Sequence, residues 1–127
     1  MENISFAATE RTPELDFNFE TNTFLLKGES YPEDVTEFYG QALQSLKGYL
    51  EGLEGATIQF TFELIYFNSS SAKVLMGLFD LLEEVAERGN TVNIVWGYEV
   101  DDDNMEELGE EFGEDLEEAN FEMKAIG

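Results

Sequence analysis

The sequence of 127 residues contains no cysteine and no histidine. The lack of cysteine excludes disulfides, thiolate nucleophiles and thiolate zinc sites. The lack of histidine removes the most common general base, the imidazole metal ligand and every Ser–His or Cys–His nucleophile pair. These two absences exclude most hydrolytic mechanisms, and we expect no catalytic residues, no metal ion and no cofactor.

Basic residues are scarce as well. Six Lys and Arg side chains oppose 29 Asp and Glu, which gives a net charge of -23. Phosphate backbones and anionic lipid surfaces repel such a chain, so we expect no nucleic-acid partner and no membrane partner. The acidity serves either solubility or the binding of a basic protein partner.

No stretch is long and apolar enough to span a bilayer. The first five residues lack the basic and apolar regions of a signal peptide. We therefore expect a soluble, cytoplasmic protein.

The residues that are present predict one packed domain over 1–127, because 43% of them are apolar and 13% aromatic. Alternating apolar residues at 15, 17 and 19 and a second run at 23–27 predict a hairpin. Ile4 and Phe6 are compatible with a further short edge strand. Ser30 is a candidate cap for the first helix, which ends near Gly52.

The second half alternates strands and helices. Residues 56–67 predict a strand, and its wholly apolar end at 64–67 predicts a central position with burial on both faces. A helix from Ser69 or Ser70 to about Arg88, a strand at 91–98, a helix over 101–116 and a strand at 121–126 follow. The order β-β-α-β-α-β-α-β predicts an α/β fold with a mixed sheet.

The run Tyr66–Lys73 is the best candidate site, because a strand ends there, three serines follow Asn68 and a helix begins at once. Asn and Ser cap helices, so a plain N-cap is one interpretation. Phosphorylation is another, since a phosphoryl group at a helix N-terminus is tolerated locally and changes the outer surface. Ser70 and Lys73 also match the S-x-x-K nucleophile motif, but its S-D-N and K-T-G partner motifs are absent.

The second helix has an unusually wide apolar arc. Val74, Leu78 and Leu81 form a stripe beside the core stripe of this helix, and Met76 widens the arc on the other side. Deep burial is one interpretation, and docking of a partner on the Val74, Leu78 and Leu81 flank is the other.

The acidic run that starts at Asp101 resembles a calcium loop only in composition. The glycine required at the sixth loop position is Glu106 in one register and Glu107 in the next. We interpret the run as the start of an acidic helix. If the chain is a constitutive interaction module without phosphorylation, this helix would bind a basic partner, and binding would weaken steeply with salt.

The element order resembles the STAS, or anti-sigma-factor-antagonist, domain, in which a Ser or Thr at the start of the second helix is a phosphorylation switch. The run Tyr66–Lys73 is also similar to the SiaC-type regulatory phosphoprotein family. Thr12-Pro13, the Gly28–Pro32 turn and Trp96 before an acidic helix support this similarity. The resemblance covers nearly the whole chain.

This resemblance implies a STAS-like regulator without enzymatic activity. A Ser/Thr protein kinase and a PP2C-like phosphatase would act on it, and its unphosphorylated form would activate a diguanylate cyclase that controls biofilm formation. The family's phosphoacceptor is a Thr directly after the Asn, a position that Ser69 occupies here, with Ser70 as the alternative. Asn68, Ser70, Ser71 and Lys73 would complete the switch corner.

Overall fold

The computed structural model describes residues 2–126. They form strands β1 (Ile4–Phe6), β2 (Glu14–Asn18), β3 (Thr23–Ser30), β4 (Thr57–Phe67), β5 (Thr91–Glu99) and β6 (Asn120–Ile126), and helices α1 (Val35–Glu51), α2 (Ser69–Glu87) and α3 (Asp103–Gly113). The predicted α/β class and element order are confirmed, and the short edge strand at Ile4 and Phe6 is present as β1.

One mixed sheet contains the six strands in the order of the chain, β1-β2-β3-β4-β5-β6. The pairs β1–β2 and β2–β3 are antiparallel, whereas β3–β4, β4–β5 and β5–β6 are parallel. Each parallel pair is connected by one helix, as β-α-β crossovers require.

The three helices cover one face of the sheet. Successive crossovers have the same hand and step in the same direction, so each helix is placed on the same side. The side chains of β4 accordingly alternate between buried and more exposed positions up to Leu64. None of the described helices covers the opposite face, the open face of the sheet. One row of side chains on that face comes from five adjacent strands in register: Asp16, Leu25, Thr61, Val95 and Glu122.

The predicted burial of both faces at the end of β4 is wrong. Ile65 is 56% exposed and Tyr66 is 50% exposed. The physical reason is that no helix covers the open face. The register between β3 and β4 also shifts at this end, where Gly28 pairs with Leu64 and Glu29 pairs with Tyr66.

The first helix starts later than predicted. Asp34 is its N-cap, and the Asp34 side chain accepts a hydrogen bond of 3.1 Å from the backbone N–H of Glu37. Ser30 is not a cap: it is the fully buried last residue of β3. Pro32 and the acidic residues after it therefore belong to the connection that precedes the helix.

Helix α3 lies close to the sheet because small residues face it. A Cβ atom on Gly109 would lie 2.6 Å from Nε1 of Trp96, which is closer than real Cβ contacts. The same Nε1–H donates a hydrogen bond of 3.1 Å to the carbonyl of Met105, one turn earlier in α3. Trp96 thus holds α3 against β5. None of the described helices is long and apolar enough to cross a membrane.

Candidate functional site

The corner between β4 and α2 is formed by Asn68 alone. Its N–H donates to the carbonyl of Ser30 at 3.1 Å, which completes the β3–β4 pairing. Its side-chain Oδ1 accepts from the N–H of Ser71 at 2.9 Å, and its carbonyl accepts from the N–H of Ala72 at 2.9 Å. The predicted N-cap at this corner is confirmed, and the strand passes into the helix without a loop.

The three serines after Asn68 have different environments. Ser69 and Ser70 are exposed, whereas Ser71 is fully buried. Only Ser69 and Ser70 therefore offer a hydroxyl to a modifying enzyme from outside. Helical spacing separates these two as well, because residues three, four and seven apart share a face. Ser69 lies on the face of Ala72 and Met76, and Ser70 lies on another.

A buried network of hydroxyl groups holds the corner in place. Ser30 Oγ lies 2.6 Å from the Tyr39 hydroxyl and 2.8 Å from Ser71 Oγ, which joins β3, α1 and α2. Burial raises the pKa of Tyr39, and its hydrogen bond with Ser30 offsets only part of that effect. No buried side-chain polar atom within residues 2–126 lacks a hydrogen-bond partner. The network therefore fixes the start of α2 without an unsatisfied group.

We expect Ser71→Ala to destabilise the fold by about 1–2 kcal/mol, because it removes a buried hydrogen bond from Ser30. Ser70→Ala is the matched control, since it deletes the same hydroxyl one residue earlier at an exposed position, where changes stay within about 0.5 kcal/mol. Urea unfolding followed by circular dichroism measures both. Equal stabilities of the two variants would contradict the structural role of the network.

The predicted partner-binding flank is largely unavailable in this structure. Leu78 is 3% exposed and belongs to the core, while Val74 and Leu81 are partly buried against it. The reason is that α1 and α2 pack side by side on the same face of the sheet. Met76, on the other side of α2, is 56% exposed instead.

A groove of about 370 Å³ lies between α2 and α3, next to the corner. Its apolar lining consists of Phe67, Ala72, Met76, Phe79, Leu108, Phe112 and Leu116. Four carboxylates stand along it: Asp80, Glu83, Glu111 and Asp115. Ser69 is not part of this lining, but it lies three residues before Ala72, and helical spacing places it on the same side of α2 as Ala72 and Met76. Lys73, one turn after Ser69, is exposed.

Glu83 ties the connection between α3 and β6 to α2. Its carboxylate accepts hydrogen bonds of 2.9–3.1 Å from the backbone N–H groups of Glu117, Glu118 and Ala119. Burial acts to raise the pKa of Glu83, but these three backbone donors together outweigh it and lower the pKa below its ordinary value. The ionised carboxylate therefore stabilises one wall of the groove.

Glu83→Gln is expected to destabilise the protein at pH 7 by about 1 kcal/mol, a value reduced from that of a buried charged hydrogen bond because the site is partly solvated. Folding lowers the pKa of Glu83, so the stabilisation by its carboxylate is complete when the pH is above the ordinary glutamate pKa. The stabilisation disappears as the pH falls through the lowered pKa of the folded protein. Glu84→Gln removes the same charge from an exposed neighbour and is the control. Urea unfolding between pH 7 and pH 2 should show a difference between the variants that is complete at pH 7 and shrinks as the Glu83 carboxylate is protonated; a difference that does not change with pH would contradict this role.

Sequence patterns did not reveal Ser30, Tyr39 or Glu83 as parts of the corner and groove. Ser30 precedes a helix and resembles a cap, and Tyr39 is one of several aromatic residues on α1. Glu83 is one of 29 acids, and only the geometry of the distant connection distinguishes it. No local sequence signal marks these three long-range contacts.

Comparison with known proteins agrees with the fold. The model of the SiaC family, described as a regulatory phosphoprotein, matches residues 6–126. A protein of Pseudomonas aeruginosa strain UCBPP-PA14, described as uncharacterized, is 31% identical over 115 residues, which cover 91% of this chain and 90% of the relative.

Solved structures are similar over nearly the whole chain. Apo-SiaC from Pseudomonas aeruginosa has a TM-score of 0.86 and 31% identity and covers 98% of this chain and 100% of its own. A second structure contains the diguanylate cyclase SiaD in complex with its activator SiaC from the same organism. Its matching chain has a TM-score of 0.88 and 29% identity. The match covers 97% of the chain described here and 99% of the matching chain. The chain described here therefore belongs to the SiaC family of regulatory phosphoproteins.

Proposed function

We propose that this chain is a partner-switching regulator and not an enzyme. In this proposal a Ser/Thr protein kinase phosphorylates Ser69 in the cytoplasm, and a PP2C-like phosphatase removes the phosphate. The unphosphorylated form binds and activates a diguanylate cyclase, and so controls cyclic di-GMP synthesis and biofilm formation. The activator role of SiaC in its complex with SiaD supports this choice of partner.

The position of Ser69 is the observation that carries the proposal. Its hydroxyl is exposed on the first turn of α2, on a corner that Asn68, Ser71 and Ser30 hold rigidly. A phosphoryl group there adds about -1.5 to -2 charges at a helix N-terminus, where the free N–H groups and the helix dipole tolerate it. Lys73, one turn later, is placed to pair with the phosphate or to contact the kinase.

Ser70 is the alternative acceptor, since it is also exposed. Two arguments favour Ser69. It directly follows the asparagine, the position that the family resemblance assigns to the phosphoacceptor, and helical spacing places it, unlike Ser70, on the side of α2 that carries Ala72 and Met76. A phosphate on Ser70 would lie on another side of α2, whereas a phosphate on Ser69 would change the surface beside Ala72 and Met76.

The test compares the two phosphorylation states in one binding assay. The SiaD-type diguanylate cyclase of the same genome is immobilised, and its affinity for the unmodified and the kinase-treated chain is measured together with cyclic di-GMP production. We expect phosphorylation to weaken binding by about 5–150-fold, the usual range of coupling between sites. Equal affinities of the two forms would contradict switching.

The second candidate function is a constitutive interaction module that is never phosphorylated. The four carboxylates along the α2/α3 groove favour it, because they suit a basic partner without any modification. In that case kinase treatment adds no phosphoryl group. The affinity for the cyclase then changes with the salt concentration but not with kinase treatment.

A further inference from the structure

We infer that the outer edge of β6 binds the same edge of a second copy of this chain, so that two sheets join into one around a two-fold axis. This inference goes beyond the proposed function and does not depend on it. It rests on a free row of backbone groups along β6, on the access to that row, and on two charges that favour one register.

The backbone of β6 is paired on one side only. It is the last strand of the sheet, and no strand within residues 2–126 pairs with its outer edge. The carbonyl of Ile126 accepts from the N–H of Val100 at 3.1 Å, which directs the backbone groups of Ile126 towards β5. Because this direction alternates along a strand, the N–H and C=O groups of Phe121, Met123 and Ala125 point outward. Such a row of backbone groups is a template for another strand.

Helix α3 leaves this edge accessible. It contacts β4, β5 and β6, and Trp96 of β5 holds it by the bond to Met105, inward from the edge. The side chain of Met123 faces α3, because a Cβ atom on Gly109 would lie 2.9 Å from its methyl group. The seven residues of β6 contain no proline, and their register with β5 has no bulge. The strand is therefore long and regular enough to pair.

An antiparallel pairing centred on Met123 satisfies the outward backbone groups. Met123 then lies opposite Met123 of the second copy, and Phe121 lies opposite the copy's Ala125. These are all residues whose N–H and C=O groups point outward, so each opposed pair exchanges two hydrogen bonds. The contact is the same surface on both copies, as a closed two-fold dimer requires.

Charge favours this register over its neighbours. Glu122 and Lys124 are exposed and lie on the open face, one on each side of Met123. In the register centred on Met123, each Glu122 lies opposite a Lys124 of the other copy, at the closely spaced positions between hydrogen-bonded pairs. Moving the centre by one residue places either two Glu122 or two Lys124 side chains opposite each other, and like charges in this position repel.

The net charge of -23 opposes self-association. Strand β6 itself is neutral, since Glu122 and Lys124 cancel, so the repulsion comes from the rest of the chain and acts over a longer range. Salt screens this long-range repulsion more than it weakens hydrogen-bonded strands in contact. The dimer should therefore become stronger as the salt concentration rises, which is opposite to the salt dependence of binding to a basic partner.

Sedimentation equilibrium of the unphosphorylated chain in high salt measures the dimer. Glu122→Lys and Lys124→Glu should each weaken it about tenfold, because each variant places like charges opposite each other at both symmetry-related positions. An equimolar mixture of the two variants should recover the affinity of the unchanged chain, since every lysine then lies opposite a glutamate. Glu20→Lys is the control for the first variant, because it makes the same charge change at an exposed residue after β2 and should not weaken the dimer.

A cross-link locates the contact. Met123→Cys introduces a single cysteine at the two-fold axis, where opposed Cα atoms are about 5.5 Å apart and within disulfide range. Mild oxidation should give a covalent dimer, and should give less of it with Met76→Cys, although Met76 is 56% exposed.

Two results would overturn the inference. A chain that stays monomeric at every concentration in high salt would mean that Glu122 and Lys124 only protect the edge from pairing. A dimer that is insensitive to both charge variants, or equal cross-linking of the two cysteine variants, would place any contact elsewhere. Because neither kinase nor cyclase is present, these results leave the proposed function untouched.

Discussion

Alanine at position 69 is expected to abolish phosphorylation of this chain by its cognate Ser/Thr kinase. Ser69 is one of two exposed hydroxyls on the first turn of α2, and the proposal assigns the phosphate to it. Removing the acceptor oxygen removes the product completely, so the expected effect is a loss of the phosphorylated species and not a change in rate. Intact-mass spectrometry after incubation with kinase and ATP measures it.

Two neighbouring serines provide matched controls. Ser70→Ala deletes an exposed hydroxyl on another face of α2 and should leave the phosphate yield unchanged. Ser71→Ala deletes a hydroxyl that is 0% exposed and bonded to Ser30 at 2.8 Å. It should lower stability while phosphorylation at Ser69 continues. A full phosphate yield on Ser69→Ala together with its loss on Ser70→Ala would transfer the switch to Ser70.

The same variants separate modification from binding. Ser69→Ala keeps the corner intact, because Asn68 provides the cap and Ser71 provides the buried anchor. It should therefore bind the cyclase like the unmodified chain before and after kinase treatment. A variant that binds permanently would keep the cyclase active, which is the expected cellular phenotype of a regulator that cannot be switched off.

Local patterns predicted the elements well, because each one carries its own periodicity. The serine-rich corner was also predictable, since a strand pattern stops and a capping residue follows within one position at Asn68. Helix α2 was predicted from Ser69 or Ser70 to about Arg88, and it spans Ser69–Glu87. These features depend on neighbours in the sequence, which is why the sequence alone reveals them.

The errors arose where distant parts of the chain meet. The apolar end of β4 suggests burial on both faces, but all three helices lie on one side, so Ile65 and Tyr66 remain exposed. Similarly, the apolar stripe at Leu78 is covered by packing between α1 and α2, while Met76 on the other side faces the groove. Which side of a wide apolar arc stays open depends on the neighbouring helix, and a helix's own residues do not specify it.

Trp96→Ala is expected to cost about 3–5 kcal/mol, the usual range for truncating a large buried aromatic side chain. Trp96 is 1% exposed, and its ring packs against those of Phe62, Phe67, Phe79 and Phe112 at centroid distances of 5.5–6.2 Å. Three of these rings line the α2/α3 groove. The substitution therefore leaves a cavity directly beneath the groove floor. Because the free energy of unfolding of a native protein is only about 5–15 kcal/mol, this loss is a large part of the total stability.

Trp96→Phe separates the two contributions of this side chain. Phenylalanine retains a ring in the cluster but cannot donate to the carbonyl of Met105, so that carbonyl loses its 3.1 Å hydrogen bond from the indole. We expect a smaller cost of about 1–3 kcal/mol, from the lost donor and the smaller ring. Urea unfolding followed by far-ultraviolet circular dichroism gives both values, because this signal does not depend on the single tryptophan.

Amide hydrogen exchange should then show faster exchange in α3 than in α2 for both variants, since the bond to Met105 holds α3 to the sheet. Unchanged exchange in α3 would mean that other contacts hold this helix, and that the groove keeps its shape without Trp96.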